Sequence, residues 1–253
     1  MAKSQCDFMQ CRKVVIRISL GVAIAWAIGL AIFWIFGADT DAIPTIRSVI
    51  GNTISGAVGG AISGLAIGTV LCKERVVAGR QSAIWIMFGG AVGWAIGLPI
   101  GLRIGRLVQG IVDRAFYDAV GDAIGLIINV TTYAAITGII AGAIGGLATG
   151  TVLYKERAIV GWQSAIWIML GWSAGWSIGS IISWTIVLKV VAVALGIVYN
   201  SINEAIGRVV WPVSLGLFDG AIIGAVAGAV GGAVTLWQVQ HARIDTLHAD
   251  RRI

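Results

Sequence analysis

Six stretches of this chain run for about 20 or more residues with almost no charge, near positions 14–36, 50–71, 82–102, 132–154, 164–184 and 213–237. At about 1.5 Å of rise per residue, each is long enough as a helix to cross a hydrocarbon layer of roughly 30 Å. Lipid offers backbone N–H and C=O groups no partners, so such runs take the helix, which satisfies them internally. The chain therefore reads as an all-α integral membrane protein of six transmembrane helices in one membrane domain, 1–253. Charged residues make up only 12% of it, about half of what a soluble domain carries. The first run follows Arg12, Lys13 and Arg17 as a signal peptide would. It is too long for a signal core, lacks a clear small-x-small cleavage site, and recurs later in the chain.

That recurrence is regular. Lys73-Glu74-Arg75 returns as Lys155-Glu156-Arg157, and Gln81-Ser82-Ala83-Ile84-Trp85-Ile86-Met87 returns as Gln163-Ser164-Ala165-Ile166-Trp167-Ile168-Met169, both at an offset of 82 residues. Gly21, Trp26 and Gly29 match Gly89, Trp94 and Gly97, then Gly171, Trp176 and Gly179. An ungapped offset of this length is a mark of duplication. It divides the chain into three pseudo-repeats, 14–81, 82–163 and 164–245. Each is an odd helix, a connector and an even helix, flanked by tails 1–13 and 238–253.

Glycine falls at every fourth position in the spans. The second carries Gly56, Gly60, Gly64 and Gly68, the fourth Gly138, Gly142, Gly146 and Gly150, and the sixth Gly216, Gly220, Gly224, Gly228 and Gly232. Residues four apart share a helix face, so each run is a groove without side chains. Helices in lipid associate through close packing, which small residues permit. The grooves are expected to act as GxxxG glycine zippers, with Gly60, Gly64, Gly142, Gly146, Gly224 and Gly228 at the contacts. A sharper reading is that some grooves line a pore or seat a ligand. The matches to glycine-rich phosphate loops that such density creates follow no strand, and are discarded.

Net charge is +6, but Lys and Arg sit in clusters at the ends of apolar blocks, without an extended basic face. They read as orientation signals, and nucleic acid is not an expected partner. With six spans, both termini and both Lys-Glu-Arg turns share one side, which collects 12 of the 18 basic residues, Lys3, Lys73, Arg80 and Arg243 among them. Asp39, Asp41 and most acids lie on the other. The positive-inside rule then places both termini in the cytoplasm, with a bacterial-type inner membrane as the expected location. Cys6, Cys11 and Cys72 fall on that side, where thiols stay reduced, and their odd count completes no disulfide framework. Residues 186–206 are apolar enough for a seventh span, but the repeat predicts a connector there.

The connector from Arg103 to Ile128 has helical period. Ile104, Leu107 and Ile111 lie on one stripe, and Arg106, Gln109 and Asp113 on the other, the pattern of an amphipathic helix lying in the interface. Trp34, Trp85, Trp167, Trp184, Trp211 and Trp237 lie near span ends and read as an interfacial belt. Trp26, Trp94 and Trp176 occupy equivalent mid-membrane positions, where they either fill space over a glycine groove or form a ring around a threefold axis.

Ionisable residues inside a membrane are functional candidates. Asp219 is the one carboxylate within a predicted span, and Ser55 and Thr137 hold its place in the other repeats. These three and the three tryptophans are the pathway candidates. Lys189 is expected to snorkel. His241 and His248 both lie in the C-terminal tail, so no span offers imidazole to a metal or haem, and no cofactor is expected. No Ser/His/Asp grouping, paired carboxylates or Cys/His cluster appears, so the expectation is a protein that is not an enzyme.

Three hairpins with interfacial connectors resemble the layout of mitochondrial carriers over most of the chain. The likeness is architectural: the Pro-x-acid-x-x-base motif that follows each odd helix in that family is missing, and the chain has only Pro44, Pro99 and Pro212. Two functions fit. One is a channel or pore-like pathway for water, ions or small neutral solutes, along a pseudo-threefold axis or an oligomer pore. The other is a non-catalytic structural or accessory subunit whose grooves bind partner helices, lipid or an apolar pigment. Beyond the lipid bilayer, the expected partners are copies of itself or a larger membrane complex.

Overall fold

The computed structural model describes residues 8–37, 46–77, 79–120, 122–198 and 204–250, with side chains over 11–36, 46–77, 79–114, 128–186 and 213–242. The described elements are helices: α1 Phe8–Ile32, which continues into a wider π turn, Phe33–Gly37, then α2 Ile46–Lys73, α3 Arg80–Val120, α4 Asp122–Lys155, α5 Gly161–Val198 and α6 Glu204–Asp250. Six segments are long and apolar enough to cross a membrane: Cys11–Phe36, Ile46–Lys73, Arg80–Arg114, Ile128–Lys155, Gly161–Ile186 and Val213–Ala242. They contain the six stretches expected from the sequence.

Each helix packs on its neighbours in the chain, and α6 returns to pack on α1, closing a ring of six. The closure is antiparallel. A Cβ added at Gly216 would lie 2.6 Å from the carbonyl oxygen of Leu30, and one at Gly228 would lie 2.7 Å from the Ser19 Cα. Gly224, between them, faces the Val22 carbonyl at 2.5 Å. The same approach occurs where α2 meets α3 and where α4 meets α5: an added Cβ would lie 2.5 Å from the Ile86 carbonyl oxygen at Gly64 and 2.7 Å from that of Trp172 at Gly142. Any side chain at these positions would overlap a neighbouring backbone.

The turns Lys73-Glu74-Arg75 and Lys155-Glu156-Arg157 close with one geometry. Arg75 and Arg157 adopt left-handed backbone, φ 55° and 56°. The Val76 and Ala158 amides donate back to Leu71 and Leu153, at 2.8 and 2.9 Å, and the arginine amides donate to Cys72 and Tyr154, both at 3.0 Å. This is the Schellman arrangement, which satisfies the last carbonyls of a helix. At this end of the bundle Arg17 pairs with Glu74 at 3.7 Å, and the Ser82 hydroxyl donates to Glu156. Cys11 is disulfide-bonded, with its partner outside the described residues. The expectation that all three thiols stay reduced is corrected at that position: compartment sets only a bias, and geometry decides which pair of sulfurs can be bridged.

The connector expected over 103–128 is helical, as its period predicts. Residues 103–120 extend α3 without a break, and 122–128 open α4. Nothing after Pro99 in α3 removes a backbone donor, so the hydrogen-bond ladder propagates. The stripe itself is present with the reverse sense to a helix resting on the protein. Ile104, Leu107 and Ile111 face outward, the latter two about two-thirds exposed. Arg106 and Gln109 turn inward, and Asp113 accepts a hydrogen bond from the Asn129 amide. The side chains of 115–127, Lys189 and Trp211, and the segment holding Asp39 and Asp41, lie outside the described residues.

Candidate functional site: a chamber over three indoles

Trp26, Trp94 and Trp176 meet at the centre of the ring. Their ring centroids are 4.6 Å apart for Trp26 and Trp94, 4.3 Å for Trp26 and Trp176, and 4.5 Å for Trp94 and Trp176. The edge-on contacts of Trp26 with both partners suit the quadrupoles of aromatic rings. None is more than 2% exposed. Each also fills space that glycine leaves: a Cβ at Gly59 would lie 3.0 Å from the Trp26 ring, and Gly145 lies directly under Trp94.

Toward the basic turns the interior is solid. Ile18, Ile86 and Ile168 are fully buried one to two turns below the indoles, as is Val22. Trp172 fills the remaining volume against Gly146 and Gly231. Sequence reasoning missed Trp172 as a core residue. Trp172 needs room on its helix face, which Gly146 and Gly231 supply.

Toward the opposite end the ring encloses a cavity of about 450 Å³. Trp176 forms part of its floor, and Asp219 and Thr137 lie on its wall. Asp219 is 7% exposed and accepts a hydrogen bond from the Ser183 hydroxyl of α5. Thr137 donates to the Gly101 carbonyl at 3.3 Å. Ser55 is seated elsewhere, fully buried, with its hydroxyl 2.5 Å from the Gly29 carbonyl. Trp26 and Trp94 seal the layer of the floor without lining the cavity. Of the six pathway candidates the structure thus brings Asp219, Thr137 and Trp176 to one chamber.

The chamber also holds residues that sequence reasoning placed elsewhere. Phe33 and Trp34, in the π turn, and Trp184 line it. Trp34 and Trp184 are 6.4 Å apart. Both are expected in the outer belt from sequence, but each is only partly exposed; the wider π turn re-aims Trp34 at the end of α1, and Trp184 reaches the chamber from α5. The belt is found at the basic end, where Trp85, Trp162, Trp167 and Trp237 are each about half exposed. Arg106 and Tyr133, which hydrogen-bond to each other, line the wall nearer the mouth. Among the described residues no group of His, Cys, Asp and Glu is placed to hold a metal ion.

Fold and site together define an all-helical protein with six helices apolar enough to cross a membrane and a largely apolar, aromatic-lined chamber that holds one buried carboxyl. No protein-family model, no curated protein and no solved structure matches the chain.

Proposed function

We propose that this protein is a solute pathway held closed, built from three pseudo-repeats that pack through glycine zippers and enclose half of a route across the membrane. The observation that carries this reading is the chamber, which sets a buried carboxylate inside an apolar bundle and ends on a layer of tryptophans. A purely structural subunit gains nothing from a buried ionisable carboxyl at that depth, where such residues are costly. The repeat supports the reading because it supplies one indole per repeat to that layer. Opening requires the indole layer and the isoleucines below it to part.

In liposomes the parent protein is expected to open transiently and give saturable cation flux, and Asp219→Asn to reduce it with the melting temperature retained. If the parent passes neither ions nor water, the accessory-subunit reading replaces this one.

We further infer that the basic end faces the cytoplasm, from the excess of Lys and Arg on that side. In a chain keeping Cys72 as its single cysteine, a membrane-impermeant thiol reagent applied to whole cells should leave Cys72 unlabelled. Ile46→Cys, at the other end of α2 and 81% exposed, should label in a variant lacking the native thiols. Labelling of both from outside would overturn this orientation.

A further inference from the structure

We propose that the chamber is a binding site for a small organic ammonium cation, with Asp219 as its counter-ion and the indoles of Trp34, Trp176 and Trp184 as its walls. The inference rests on the chamber being a solute site and adds the chemistry of the solute.

The first observation is the burial of the Asp219 carboxyl. It is 93% buried, by the 7% exposure already given, and its hydrogen bond comes from a neutral serine. Arg17 pairs with Glu74 at the far end of the bundle. Arg106, the basic residue on the chamber wall, engages Tyr133. It also sits nearer the mouth. Trp94 and Trp176 lie at one depth; Arg106 is twelve residues beyond the first and Ser183 seven beyond the second, which separates their levels by about 8 Å along the axis. A buried carboxylate is stable when a cation meets it, and none from the described chain does.

The second observation is the wall. An inorganic ion such as calcium takes about 6–8 oxygen ligands at short range, whereas the neutral oxygen-bearing side chains of the chamber lining are Gln109, Tyr133, Thr137 and Ser180, with Ser183 already donating to Asp219. What it offers in quantity is aromatic surface. Indole faces attract ammonium groups, most strongly where water is excluded. The third observation is size. The cavity of about 450 Å³ falls in the range of small-molecule sites, roughly 300–1,000 Å³, and far exceeds a bare metal ion.

The test uses the full-length protein in detergent at pH 8, with choline as probe and its neutral carbon isostere, tert-butyl in place of trimethylammonium, as control. Binding is read by titration calorimetry and by the change in tryptophan fluorescence. Choline is expected to bind saturably, at least about tenfold more tightly than the isostere, and at least about tenfold more weakly to Asp219→Asn. Trp184→Leu, which removes a wall and leaves the carboxylate, should also weaken choline without affecting the melting temperature. Equal binding of choline and isostere would mean an apolar site and overturn the proposal. So would unchanged affinity in Asp219→Asn, or no choline binding by the folded parent, which would mark Asp219 as a carboxyl satisfied by Ser183 alone. The flux assay fails separately: choline binding without flux leaves the site and removes the pathway, and flux of ions without choline binding does the reverse.

Discussion

Gly220→Leu is expected to destabilise the protein by about 3 kcal/mol or more, at or beyond the top of the usual range for overpacking a well-packed interior. A Cβ at this position would fall on the carbonyl oxygen of Trp26. The obstacle is helix backbone, so no rotamer change relieves it. Relief requires moving α6 away from α1, and that would also open the contacts of Gly216, Gly224 and Gly228 along the same face. Even Gly220→Ala should be harmful, although alanine favours helix by about 1 kcal/mol over glycine. Gly110 in α3 supplies the control, since nothing lies within 4 Å of a Cβ there. Gly110→Ala should leave the melting temperature unchanged or raise it. Thermal unfolding in detergent measures all three. Equal melting temperatures for Gly220→Leu and Gly110→Ala would refute the claim that glycine spacing holds the ring closed.

The second large effect is expected at the indole layer. Trp26→Ala removes a fully buried ring that touches Trp94, Trp176 and the backbone of α2 at Gly59. Large-to-small changes of this kind cost about 3–5 kcal/mol in soluble cores. In a membrane the unfolded reference leaves the side chain in lipid, so the transfer contribution shrinks and the vacated volume dominates. The lower end, about 3 kcal/mol, is therefore expected. The closed layer resists collapse because the helices around it already touch through glycine and cannot move inward. Trp85→Ala, at a half-exposed ring of the outer belt, should change stability by no more than about 0.5 kcal/mol. Comparable losses for the two variants would mean that the central indoles are not a close-packed layer.

The part of this architecture that the sequence determined is what lipid determines locally. Long uncharged runs have to be helices, because no other form satisfies the backbone of a single segment in a membrane. A glycine at every fourth position has to produce a smooth face, because that spacing returns to one side of a helix. The meeting of Trp26, Trp94 and Trp176 was one of two outcomes their equivalent positions allowed. Which smooth face met which neighbour was decided only in three dimensions. The stripe Gly216 to Gly232 carries no address, and its fit to α1 depends on the ring closing over the whole bundle. The inward turn of Trp34, Trp184 and Arg106 likewise depended on the cavity existing, since a polar or aromatic residue near a span end suits an interface equally well. Ser55 shows the same limit from the other side. It shares its aligned position with Thr137 and Asp219, yet the carbonyl of Gly29 captures its hydroxyl in the α1–α2 contact. A hydroxyl bonds to whatever acceptor the packed neighbour presents, and tertiary contact alone selects that neighbour.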